Sequence, residues 1–128
     1  MRRILVVAAI VAAIAIPFAV HAKEAAKAAK APVTMTGEIV DTGCFLDHGA
    51  RGAKHKDCAT KCLAGGMPAA LLTDKGELIL LLMDHDKPEL MGQVKDLAAE
   101  KVSITGKVSK GHGMTAMYVS DLKKEEAK

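Results

Sequence analysis

Short runs in which apolar and polar residues alternate recur along this chain, and a run of helical spacing interrupts them. Val33 to Leu46 alternates and is rich in Thr, Ile and Val, which favour strands. Pro68 to Thr73 and Glu77 to Met83 flank the turn Asp74-Lys75-Gly76, so the pair reads as a hairpin. Leu90, Met91, Val94, Leu97 and Ala98 then recur at helical spacing. Lys101 to Ser109 and Met114 to Ser120 alternate again on either side of a turn at Lys110 to Gly113. Strands in this number, with the helix between the third and the fourth, have the element order of an OB-type barrel. A small β-sandwich or open sheet can share that order. The predicted fold class is mainly β with short helices, a small OB-like five-stranded barrel. The run Leu78 to Met83 is apolar at every position, which predicts a central strand covered on both faces.

Between the first and second strands lies a stretch of different character, Gly43 to Gly66. It holds all 3 cysteines, Cys44, Cys58 and Cys62, and two of the 5 histidines, His48 and His55. Cys44 sits at the end of the first predicted strand. Asp47 to Ala53 reads as a Gly-bearing loop, and Lys54 to Ala64 as a helix stopped by Gly65-Gly66. The helical Cys/His insertion therefore spans residues 44–66.

The N-terminus reads as an address. Arg2 and Arg3 precede an apolar run from Ile4 to Val20, and Val20-His21-Ala22 fits a small-x-small cleavage site. The run is about 17 residues long, at the short edge of what spans a bilayer. The expectation is a signal peptide over 1–22, cleaved near Ala22, and a periplasmic or secreted mature chain that is not held in the membrane. An Ala/Lys-rich linker follows at 23–32, then the barrel domain at 33–122 and a charged tail at 123–128. Without Arg2 and Arg3, the 18 basic residues fall to 16 against 15 acidic ones. A nearly neutral mature chain gives no electrostatic case for a nucleic-acid partner. With no Trp, and only Phe45 and Tyr118 as mature aromatics, the small core would gain from a cross-link or a bound metal.

His55, Cys58 and Cys62 fall on one helix face, within about 60 degrees of each other. Cys44, arriving from the strand end, can be brought over that face by the loop. The result is a set of three thiols and one imidazole, the latter from His55 or His48. Thiolate and imidazole donors favour copper or zinc and argue against calcium or magnesium. Covalent haem needs Cys-x-x-Cys-His, which the sequence lacks. The predicted function is binding of a thiophilic metal ion, with an exported metalloprotein or a redox protein as partner.

An alternative stays open. Exported chains often pair their cysteines, and Cys44 joined to Cys58 or Cys62 would tether the insertion. Closing such a loop contributes ~3 kcal/mol. The chain would then be a disulfide-stapled binding module, or a thiol-redox protein with one reactive cysteine. No catalytic residue is assigned, because neither a Ser/His/Asp signature nor a paired-carboxylate motif stands out. Asp84-His85-Asp86 reads as a polar breaker and His112 as a turn residue. Met67, Met83, Met91, Met114 and Met117 read as core fillers in a chain short of aromatics.

The chain also resembles an uncharacterised family of small exported bacterial proteins. The matching residues are Thr36 to Asp41, Cys44, Leu46 to Gly49, Lys54 to Cys62, Gly66 to Pro68 and Val102 to Val108. Ile39 stands where that family's pattern has Val. The resemblance covers about three quarters of the chain. It implies an exported OB-like barrel and carries no activity with it.

Overall fold

The alternating runs pair as the pattern predicts. A computed structural model describes residues 31–126. The expected signal peptide, most of the linker and the last two residues of the tail lie outside the described residues. β1 (Val33–Asp41) pairs antiparallel with β2 (Ala69–Thr73) through its second half, Gly37 opposite Thr73 to Asp41 opposite Ala69. Its first half pairs with β4 (Lys101–Gly111), Val33 opposite Gly106 to Glu38 opposite Lys101. β2 forms a hairpin with β3 (Leu78–Met83), and β3 runs parallel to β5 (Met114–Lys124). β5 returns antiparallel to β4, which closes the ring in the order β1-β2-β3-β5-β4. This is the OB-like barrel expected.

Two glycines allow the tight closure. Gly37 is where β1 is shared between β2 and β4, and a Cβ there would lie 2.3 Å from the Leu72 carbonyl oxygen. Gly106 sits at the register shift between β4 and β5, where a Cβ would lie 2.2 Å from the Tyr118 carbonyl oxygen. Any side chain at either position would force the strands apart.

Inward residues of the strands form the core: Ile39, Leu71, Ile79, Ile104, Met117 and Val119. A helix between β3 and β4, α3 (Leu90–Asp96), closes the barrel by burying Leu90 and Val94, with Ala98 just beyond its end. The insertion holds two further helices, α1 (Thr42–His48) and α2 (Lys56–Ala64). They grip the sheet from opposite faces. Ala59 and Leu63 of α2 join the inner core, while Phe45 of α1 packs against Val40, Ala70 and Leu72 on the outer face.

Several elements depart from the pattern. The first strand stops at Asp41 rather than Leu46, because the Asp41 side chain accepts the Cys44 N–H at 2.9 Å and starts a helix. Gly49, at φ 71°, ends that helix. β5 continues to Lys124, since Asp121 to Lys124 pair with Thr105 to Val102 and Leu122 is buried; the first residues of the expected tail are therefore strand. β3 is fully covered on one face only: Ile79 and Leu81 are buried, whereas Leu78, Leu80 and Leu82 keep partial exposure. Among the methionines, Met117 is core and Met91 packs against it, but Met67, Met83 and Met114 are exposed. No helix among the described residues is long and apolar enough to cross a membrane.

Candidate metal centre

The site is built where β1 turns into α1. Asp41 is fully buried at the end of β1. One carboxylate oxygen caps α1 through the Cys44 N–H, and the other lies 3.1 Å from His55 Nε2. The cap fixes Cys44 in the first turn of α1. After Gly49 the chain crosses to Gly52, whose N–H donates to the Glu38 carboxylate. A 3-10 turn over Ala53–His55 then leads into α2. Ala59 and Leu63 bury one stripe of α2, which leaves Cys58 and Cys62 on the stripe beside it, directed at α1.

The ends of the insertion are tied together. Both the Thr42 N–H and its hydroxyl donate to the Pro68 carbonyl, each at 3.0 Å. At the end of α2 the Met67 N–H returns to the Cys62 carbonyl at 2.9 Å, with Gly66 at φ 101° turning the chain towards β2. Outside this neck, Glu100 at the mouth of the barrel accepts from Lys56 of α2 and, at 3.2 Å, pairs with Lys124 of β5.

Two groups of donor atoms result. Those of Cys44, His55 and Cys58 all lie within 4.8 Å of one another, and so do those of Asp41, Cys44 and Cys62. Cys44 belongs to both. All three cysteines are free thiols; Cys44 and Cys62 are half-buried and Cys58 is exposed. A tetrahedral zinc with bonds of about 2.3 Å holds its sulfurs about 3.8 Å apart, so small side-chain movements would gather these donors on one ion.

Burial pushes the Cys44 thiol up to about 12, and the Asp41 carboxylate beside it adds to the rise. Cys62 is also raised, first by burial and then by the neighbouring Cys58. Burial would raise Asp41 too, but the Cys44 N–H and the His55 ring outweigh it and hold the carboxyl below its ordinary value. The site therefore sets a carboxylate of lowered pKa beside two thiols, Cys44 and Cys62, whose pKa values are raised.

Of the residues singled out from sequence, Cys44, Cys58, Cys62 and His55 come together. His48 does not join either group. It is exposed, its Nδ1 is 3.0 Å from Asp47, and its ring meets that of His55 edge-on at 6.3 Å between centres. The Asp84 side chain accepts the Asp86 N–H at 3.1 Å, which makes Asp84-His85-Asp86 a polar turn. His112, at φ 50°, is an exposed turn residue. The residue that sequence reasoning missed is Asp41. Its signal was present as an acid three positions before a cysteine, the spacing of an N-cap.

A second feature lies on the β2–β3 face, where OB barrels bind their ligands. It is an open groove of about 570 Å³ lined by Leu46, Pro68, Ala70, Leu78, Leu80 and Met114. It is apolar, and Leu46 and Met114 stand 71% and 62% exposed along it.

Comparison with known proteins finds no family model, no curated protein and no solved structure that matches this chain.

Proposed function

We propose that this chain is an exported protein that binds one thiophilic metal ion, copper(I) or zinc, through Cys44, Cys58, Cys62 and His55. The observation that carries the reading is the sharing of Cys44 between two donor groups, each within 4.8 Å internally, which links all three thiols and the imidazole. Thiolate and imidazole together match zinc, and two or three thiolates suffice for copper(I). Export follows from the N-terminal pattern around Val20-His21-Ala22.

The same sulfurs support a second reading. Cys44 lies within 4.8 Å of both Cys58 and Cys62, close enough to pair with either once the side chains adjust. A thiol-redox role would fall to Cys58, the exposed thiol, because burial raises Cys44 and Cys62.

Alkylation of free thiols in the native protein, with intact mass and metal content measured together, separates the readings. Three alkylated thiols on removal of one bound ion support the metal site. One alkylated thiol and no metal sinks it in favour of a staple.

A further inference from the structure

We infer that Asp41 is a positioning residue for this site: it holds His55 in the tautomer that offers Nδ1 to the metal, and it stays outside the coordination sphere itself. This rests on the metal reading above.

The argument starts from what each oxygen of Asp41 already does. Oδ1 accepts the Cys44 N–H at 2.9 Å, and Oδ2 faces His55 Nε2 at 3.1 Å. An ionised carboxylate only accepts, so Nε2 must carry the hydrogen. A neutral imidazole has a single N–H, and its lone pair then sits on Nδ1. Metal-binding histidines commonly hand their other N–H to a carboxylate, which fixes the ring and strengthens the donor. Asp41 is suited to that part because it is wholly buried at the end of a ladder-bonded strand.

The competing arrangement makes Asp41 a ligand, since its carboxylate lies in the second donor group with Cys44 and Cys62. To bind, it would have to share an oxygen that now caps α1 or release His55. Cys62 offers a donor in the same group without either loss, and a soft ion prefers sulfur to carboxylate oxygen. The ligand set is therefore three thiolates and His55 Nδ1. One carboxylate thus sets two ligands at once: the backbone of Cys44 and the ring of His55, from segments 14 residues apart in the case of the ring.

The test uses the full chain, reduced, loaded with zinc or with an NMR-active cadmium isotope. Long-range proton–nitrogen spectra of His55 are expected to show a protonated Nε2 and a metal-bound Nδ1, with cadmium coupled to the ring through Nδ1. Asp41→Asn keeps an oxygen for the cap but turns an amide N–H₂ towards His55. Its zinc affinity is expected to fall roughly 10- to 100-fold. In a His55→Ala background the same change should alter affinity by less than about twofold. A purely structural role would weaken both backgrounds equally. Metal on Nε2, a carboxylate oxygen on the cadmium, or equal losses in the two backgrounds would overturn the inference while leaving the metal reading intact. If the wild-type chain takes up only copper(I), the same spectra are read on that diamagnetic form; if it binds neither zinc, cadmium nor copper(I), the metal reading fails and the inference with it. The wild-type spectra decide the matter without any variant, whether or not Asp41→Asn folds.

Discussion

The barrel and its insertion are held by different means. The barrel is a closed ring of backbone ladders around a core that includes Leu71, Ile104, Met117 and Val119, all fully buried. The insertion has helices of 7 and 9 residues, too short to persist alone in water. It depends on a few named contacts: the Asp41 cap, Phe45 on the outer face, Leu63 in the inner core and the Thr42–Pro68 neck. The donors of the candidate site sit on the part with the least order of its own. A bound ion would therefore act on the insertion and leave the ring nearly untouched.

The largest effect should come from the barrel. Leu71→Ala is expected to cost about 2–5 kcal/mol in urea denaturation, as a core truncation does. A cost well under that would mean that the ring does not dominate stability. The next test targets the insertion. Cys44→Ser should lower metal affinity more than roughly 100-fold, or about 2.8 kcal/mol, in chelator competition. It should exceed the loss in Cys58→Ser or Cys62→Ser, because only Cys44 serves both donor groups. Metal-free stability should move by less than about 1 kcal/mol, since Cys44 lies outside the main core.

Acidity offers a third measurement. Cys44 is pushed up to about 12 and Cys62 is raised, so both are protonated in the metal-free protein at neutral pH. Loading must displace those protons, and affinity should rise with pH by roughly tenfold per unit for each proton released. Calorimetry in buffers of different ionisation heat reads the protons directly; no release would contradict thiolate ligation.

The smallest effect concerns the link between the two regions. Glu100 is held below its ordinary value of 4.5, first by Lys56 and then by Lys124. A depressed carboxyl adds stability above its unfolded pKa and loses it as pH falls through the folded one. Glu100→Gln should therefore cost up to ~1 kcal/mol at neutral pH and low salt. The difference from the wild type should shrink as pH drops below about 4.5 and as salt rises.

Much of the barrel was legible in the sequence because a strand with one buried face writes its period into the residues. Ile39, Val102 and Ile104 are inward positions of alternating runs, while Leu71 and Ile79 lie in short apolar runs marked as strands by the turn between them. The helix expected from Lys54 begins at Lys56, and His55 lies in the 3-10 turn before it, but the helical spacing of Cys58 and Cys62 was legible too. The start of α1 was not, because Gly-Cys-Phe-Leu continues the alternation of β1 and the helix depends on one side-chain cap at Asp41. The role of Asp41 was hidden by that same error, which left it as one more strand residue. The end of β5 was obscured by its charges: Asp121, Lys123 and Lys124 face solvent at the rim, and only Leu122 points in. Exposed methionines were misread as core because composition cannot tell a filler from a surface residue, as Met114 shows.

The closed ring has one more consequence. Among the described residues each strand of the ring has a neighbour on both sides over part of its length, which leaves one-sided pairing to strand ends such as Lys107 to Gly111. If the insertion loosens while an ion is exchanged or a thiol is oxidised, what it uncovers is the apolar surface now covered by Leu63 and Phe45. Loosening of the reactive segment would therefore change which side chains are covered while the strand ladders of the ring stay paired.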